Sequence, residues 1–561
     1  MSARRWALAG IGVAVAVAGS AAPVGAMRVR PPAVRPQAAG TAVGRMQFVT
    51  VLQGVYPESV DPGVDFTNQG GDALWLCYTG LVSFAHASGV PGTRLIPGLA
   101  TSLGVLSADG RTYRFTLRRG LRYSDGRLVR PGDFAWTVER LLKLRWAGSS
   151  FLVGLIRGAA SFAAGRARTV SGITTDDRPG RITIQLTTAY GAFEDVLALP
   201  GLGLVPRGTP FRNEPGRPPA GAGPYEIKDV RPGRSFDVVP NPTWGAHPIP
   251  GIRAGRLGIH VKIEPNATTE ALDVLNNRAD VFDWGDAIPP ALIPELQARA
   301  SSRYRMIETN KTFYWFLNVA RPPFSNQLAR EAVAVAVDRP ALASLAGNEV
   351  VPACYLLPPS MVGHPSAPCP YGDPNAAPNI AVARTLVQQS GMAGQPVTVW
   401  AENRPPRLNW CENYAATLNA IGFRATLRTI ASQDYFSTIG RLSNHPQTGF
   451  ADWEQDFPNP TDFYANLIDG RSIVPVGNGN YGEIDDPYIQ GQLNSLYPVP
   501  AVQLHSATAR WQALDYYVAK SADVVPFAYL TSPEFVSSRI DFSKLTFSQM
   551  YGLDWSTLTI G

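Results

Sequence analysis

Strand-like and helix-like spacings of apolar residues succeed one another along this chain. Residues 48–52 read as a short strand. Tyr113, Phe115 and Leu117 alternate behind the Asp109-Gly110 turn signal, the pattern of a half-buried strand, and Ile182, Ile184 and Leu186 alternate again. Between them Pro131 opens a helix whose apolar positions Phe134, Val138, Leu141 and Leu142 fall at helical spacing. Ile259, Val261 and Ile263 predict a further strand, and residues 268–278 a helix. A Pro/Gly-dense stretch, residues 206–224, breaks the pattern and reads as a loop or crossing point. Beyond residue 310 the mixture resumes: a helix over 379–390, a strand over 397–400, a helix around 409–421 and a strand over 423–427. Mixed strands and helices without an internal repeat predict α/β lobes rather than a repeat protein.

Residues 313–339 (FYWFLNVARPPFSNQLAREAVAVAVDR) carry the densest signal. The aromatic run Phe313, Tyr314, Trp315, Phe316, Leu317 predicts a buried strand ending at Asn318. Pro322-Pro323 makes a rigid break, an Ala/Val-rich helix starts at about Leu328, and Asp338 stands where a second helix would be capped.

Length and composition narrow the class. The 561 residues suffice for two or three buried cores, and 45% apolar with 17% charged residues is a globular composition. Net charge is +6, but the arginines that carry it are scattered, so no nucleic-acid partner is expected. Residues 1–26 predict an export signal: Arg4 and Arg5 precede an apolar run over 6–18, followed by small residues suited to cleavage. That run is shorter than the roughly 20 apolar residues of a spanning helix. Residues 27–46 are Pro/Ala/Arg-rich and predict a mobile leader. No cysteine lies near the cleavage region, so the exported protein is expected without a lipid anchor.

Four cysteines remain, and four allow three full pairings. Cys354 and Cys369 flank a Pro-rich loop with little core of its own, which makes their bond the preferred one. Cys77 and Cys411 sit in apolar surroundings and are as readily buried thiols as partners. No close Cys-x-x-Cys spacing occurs and the histidines are dispersed, so neither metal nor cofactor is expected.

Several blocks, in order, resemble one family. Val60-Asp61-Pro62, Tyr78-Thr79-Gly80-Leu81, DGRTYRFTLRRGLRYSDG (109–126), GAGPYEI (221–227), Asn241-Pro242-Thr243-Trp244 and Asn277-Arg278-Ala279-Asp280-Val281 precede the segment 313–339. Ala383 to Val387 and Trp453-Glu454-Gln455-Asp456-Phe457-Pro458-Asn459-Pro460 follow it. Together they resemble the extracellular solute-binding proteins, family 5, of peptide-, dipeptide- and nickel-type ABC importers, over essentially the whole mature chain. The resemblance implies a two-lobed α/β clamshell of the large, cluster-C type, with an extra subdomain in the first lobe. On that pattern lobe I comprises residues 47–75, 220–310 and 520–561, the extra subdomain 76–219, and lobe II 311–519. Arg130 replaces the Thr that caps the helix in relatives, so that cap is expected to be lost, while Asp133 still suits the positive helix end.

The resemblance also implies site residues. Asp456 matches the carboxylate that pairs with a peptide's α-ammonium, a charge-assisted bond suited to a water-poor cleft; the bland alternative is a loop-capping Asp. Trp453 would form a flat apolar wall beside it. Arg404, before Pro405-Pro406, matches the arginine that receives the ligand carboxylate, with Arg407 the neighbour most easily mistaken for it. Tyr78 and Trp315 are candidate cleft aromatics, although strand aromatics are more often core. The expected activity is capture of an oligopeptide or dipeptide and delivery to an ABC permease with its ATPase, by a monomer at the periplasmic or extracellular face. A sugar or metal-chelate ligand, or a sensor role without transport, are the alternatives. A hydrolase is disfavoured: there is no Gly-x-Ser-x-Gly, His-Glu-x-x-His or P-loop, and Asp176-Asp177 and Asp485-Asp486 read as turn acids.

Overall fold

Two long strands, Tyr304–Leu317 and Val524–Val536, run antiparallel through the middle of an eleven-stranded sheet in the computed structural model, which describes residues 46–283, 287–347 and 349–561. The expected export signal, and the leader up to residue 45, lie outside the described residues. Beside Val524–Val536 the sheet continues through Val281–Phe282, Phe48–Gln53, Gly258–Ile263, Ser235–Pro240 and Tyr225–Arg231. Beside Tyr304–Leu317 it continues through Thr448–Glu454, Pro396–Glu402 and Arg424–Ile430. The pair therefore joins two α/β lobes, the expected fold.

The aromatic run explains why the first of these strands sits centrally. Phe313 through Leu317 are all buried, on both faces, as a strand covered by helices on each side requires. Only five residues of strand are predicted here, whereas the strand begins nine residues earlier, at Tyr304. The polar stretch Glu308–Asn310 hides this extension, because the ladder with Val524–Val536 shifts register between Glu308 and Thr312. The boundary expected at residues 310 and 311 falls inside this strand. Its Tyr304 end packs in a small core with Leu52, Phe282 and Phe535, and its Phe313–Leu317 end in the core of the second lobe.

A larger core runs from Val49 through Phe115, Phe134 and Ile182 to Trp555, so the four-stranded sheet of residues 105–185 shares apolar packing with the first lobe. The two helices predicted after Pro322-Pro323 occupy Gln327–Ala336 and Arg339–Leu345. Asn326 accepts from the Leu328 N–H (2.9 Å) and Asp338 from the Ala341 N–H (3.0 Å), each satisfying an orphan donor at a helix start.

At the helix Pro131–Leu144 the expected loss of the side-chain cap holds: Arg130, at the cap position, offers no acceptor to the first N–H groups of the helix. Asp133 supplies the other half of a capping box: it turns back and accepts the Arg130 N–H (2.8 Å), and its other oxygen accepts the Arg207 N–H (3.0 Å). One carboxylate thus closes the helix start and pins the 206–224 segment to it. Cys354 and Cys369 are disulfide-bonded. Cys77 and Cys411 are separate buried thiols in different cores, which removes them as partners.

Candidate functional site

Asp456 sits in the loop 455–460, between the strand Thr448–Glu454 and the helix Thr461–Leu467. Its backbone N–H donates to Asp462 Oδ2 (2.8 Å), while its carboxylate makes no hydrogen bond or ion pair among the described residues. Instead it lines a cavity of about 80 Å³ whose other walls include Asp65, Phe66, Trp146 and Tyr551 from the first lobe. Phe66 meets Trp146 edge to face at 5.1 Å, giving an apolar flank. Burial pushes the Asp456 carboxyl up to about 7, and the charge of Glu454 adds to the rise. Asp65 is raised to about 6, chiefly by burial and against the hydrogen bonds it accepts from Thr67 and Ser59.

Trp453, the expected wall residue, shares a hydrogen-bond acceptor with the Asp456 backbone but does not line the cavity. Trp453 is half-buried, and its indole N–H donates to the same Asp462 oxygen (3.1 Å). Asp462 itself is buried, its Oδ1 has no partner among the described residues, and burial raises its carboxyl well above the ordinary range, with the Asp456 charge contributing. Sequence reasoning missed Asp462. An acid in the first turn of a helix after Pro460 reads as a response to the helix dipole, and that reading conceals its contacts with the loop before it.

The loop is clasped from the other lobe. Phe457 enters the first core and meets Phe151 edge to face at 5.6 Å. Asn459 donates its side-chain amide to Asp195 (3.1 Å), and Tyr190 reaches Thr461 (3.4 Å). Gly191 donates its N–H to the Tyr497 carbonyl (2.7 Å) and accepts from the Ala501 N–H (2.9 Å). The lobes are therefore closed on each other around the Asp456 cavity.

Besides Trp453, three expected site residues are not brought to that cavity. Arg404 projects into solvent, its side chain 54% exposed and its Nε 3.4 Å from Glu402. Arg407 is the buried member of the pair: it bridges Glu402 and Asp452 and lies 4.6 Å over the Phe450 ring, so its charge is consumed within the second lobe. Trp315 is fully buried between Tyr414 (4.1 Å) and Phe527 (4.6 Å) in stacked geometry; it is core. Tyr78 is buried too, donates to the Pro219 carbonyl (2.7 Å), and lines a different cavity of about 390 Å³ beside the Asp61–Arg140 pair. Arg407, Trp315 and Tyr78 thus meet needs within their own lobes.

The chain is 24% identical over 440 residues to the probable deoxycholate-binding periplasmic protein YgiS of Escherichia coli (strain K12), covering 75% of this chain and 77% of that protein. It is 22% identical over 449 residues to the probable D,D-dipeptide-binding periplasmic protein DdpA of the same strain, covering 76% and 78%. In fold it is similar to clavulanic acid biosynthesis oligopeptide binding protein 2, with a TM-score of 0.82 at 22% identity over 92% of this chain and 96% of that one. Residues 94–473 match the bacterial extracellular solute-binding proteins, family 5, and the chain belongs to that family.

Proposed function

We propose that this chain is the exported receptor of an ABC importer and captures a peptide by its free amino terminus at Asp456, without chemical change to the ligand. The observation that carries this reading is a carboxylate lining an interlobe cavity with no ion-pair partner among the described residues, on a loop whose backbone is fixed by Asp462. An α-ammonium placed there would lower the raised Asp456 carboxyl and make a charge-assisted bond in a site shielded from water. A void of about 80 Å³ holds only the end of a ligand, so the remainder of a peptide enters when the lobes part about the two long strands. Delivery then goes to a membrane permease with its ATPase, and the receptor acts as a monomer. Among the described residues no helix is long and apolar enough to cross a membrane. Relatives named for a bile acid and for D,D-dipeptides differ in ligand, so peptide length and side chains are set by this chain's own walls.

Isothermal titration of the mature protein against peptides with free and with acetylated amino termini tests the reading. Binding is expected only with the free terminus, weakened about tenfold or more by Asp456→Asn. Equal affinity for both termini, or binding indifferent to the substitution, would sink it.

A further inference from the structure

Next to the crossing strands lies a third cavity, of about 380 Å³, that shares no lining residue with the Asp456 cavity. Its walls are residues 305–309, Glu534, the segment 542–549 and the Ser88-Gly89 turn, whose Ser88 hydroxyl and Gly89 N–H hold the backbone of Phe547 (2.9 and 3.3 Å). The volume is at the lower end of the range of small-molecule sites.

The chemistry of this cavity is lopsided. Glu534 is 1% exposed, and its Oε1 has no hydrogen-bond partner among the described residues. Its direct partner across the ladder, Arg305, lines the same cavity, and directly opposed residues share a face of the sheet, whereas the preceding Pro533 lines a separate cavity with Tyr304. Arg305 stands directly across the ladder from Glu534 but makes no ion pair among the described residues; its guanidinium lies 5.6 Å over the Phe542 ring instead. Gln549 contributes a second buried acceptor, an Oε1 likewise without a partner among the described residues. Phe542, Leu545 and Phe547 supply apolar walls. Asp72, another buried acid, feels the charge of Glu534, and Glu308 also lines the cavity. A buried carboxylate left unpaired is strongly disfavoured, and one that gains a cation in a dry pocket is not.

We propose that this hinge cavity is a second small-molecule site, separate from the interlobe cleft, that takes an organic cation with an apolar body, its cationic head on Glu534 and Gln549. Amidinium and alkyl- or arylammonium heads fit, because they offer several N–H donors to two acceptor oxygens while the body lies on the phenylalanines. No cluster of acids, histidines or cysteines able to hold a metal ion occurs among the described residues, which favours an organic head over a metal. The ligand would lie against the segment where the ladder between the crossing strands shifts register. This inference stands independently of the peptide reading.

The test is calorimetric titration of the full chain at pH 7.5 with benzamidinium and with its neutral near-isostere benzamide. Wild-type protein is expected to bind benzamidinium at least about tenfold more tightly than benzamide. Glu534→Gln is expected to erase that preference, and Leu545→Trp to block both ligands; should the first variant fail to fold, the second carries the test. Asp456→Asn is expected to leave benzamidinium binding intact. Equal or absent binding of the two probes to the wild type overturns the proposal, since Glu534 would then be satisfied by its own proton or by Arg305. Loss of benzamidinium binding in Asp456→Asn overturns it too, by placing the probe in the cleft.

Discussion

Asp462 holds Asp456 by its backbone, and with the same oxygen it holds the Trp453 indole, so one buried carboxylate sets the relative position of both expected ligand contacts. The relationship splits two substitutions. Asp462→Asn keeps an acceptor for both N–H groups and removes a carboxyl that burial disfavours as an anion. Asp462→Ala leaves both donors unpaired. Urea denaturation at pH 7 should show the Asn variant as stable as wild type or more so, and the Ala variant weaker by about 1–3 kcal/mol. Equal losses in both would show that the charge, not the acceptor, is what matters.

The clasp at Asp195 makes stability depend on pH. Burial, helped by the Glu194 charge, raises this carboxyl from 3.8 to about 8 despite the hydrogen bond from Asn459. Between those values the folded chain holds a proton that the unfolded chain has released. Stability is therefore fully present below the lower value and falls as pH rises through the window. Asp456 and Asp515, each raised to about 7, slope the same way. Thermal midpoints should rise from pH 8 to pH 5, and Asp195→Asn, which keeps the acceptor but cannot titrate, should show a shallower slope. Parallel curves for the two proteins would count against the assignment.

Two nearby arginines should behave in opposite ways. Arg407→Met removes the buried cation that Glu402 and Asp452 share, leaving Arg404 3.4 Å from the first and Lys311 3.4 Å from the second, and should cost about 1–3 kcal/mol. Arg404→Met removes an exposed partner 3.4 Å from Glu402 and should change stability by less than about 1 kcal/mol. Denaturant midpoints of the two variants at low and moderate salt check this; comparable losses would contradict the burial assigned to Arg407.

That contrast shows what the residue order does and does not reveal. Alternation and helical spacing located the strands at 112–116, 181–185 and 258–263 and the helix at 131–144, because each carries its own local pattern of buried and more exposed positions. Asp338 as a cap was legible for the same reason. The choice between Arg404 and Arg407 was not. It depends on Asp452 standing opposite Phe313 in the ladder, a register set by strands 139 residues apart. Trp315 shows the complementary difficulty: aromatic content marks a strand, but whether the ring faces a cleft or Tyr414 is decided by a helix about a hundred residues later. Asp456 was legible as a loop acid beside a Trp, yet Asp195, Gly191 and Asp462, which close and fix the site, resemble ordinary surface and helix-start residues.

Gly191 offers the most direct test that closure is built into the chain. A Cβ at this position would lie 1.7 Å from the Val499 carbonyl oxygen and 2.9 Å from the Pro500 nitrogen, both backbone atoms with no rotamer to yield. The close approach allows the paired bonds from Gly191 to Tyr497 and from Ala501 to Gly191. Gly191→Ala should break both and push the 190–195 segment away from 497–501. The Asp195–Asn459 and Phe457–Phe151 contacts lie on the same face and should loosen with them. Small-angle scattering should then show a larger radius of gyration, and peptide affinity should fall, while circular dichroism stays that of a folded α/β protein. An unchanged scattering profile with unchanged affinity would mean that the lobes are held together elsewhere, by the crossing strands alone.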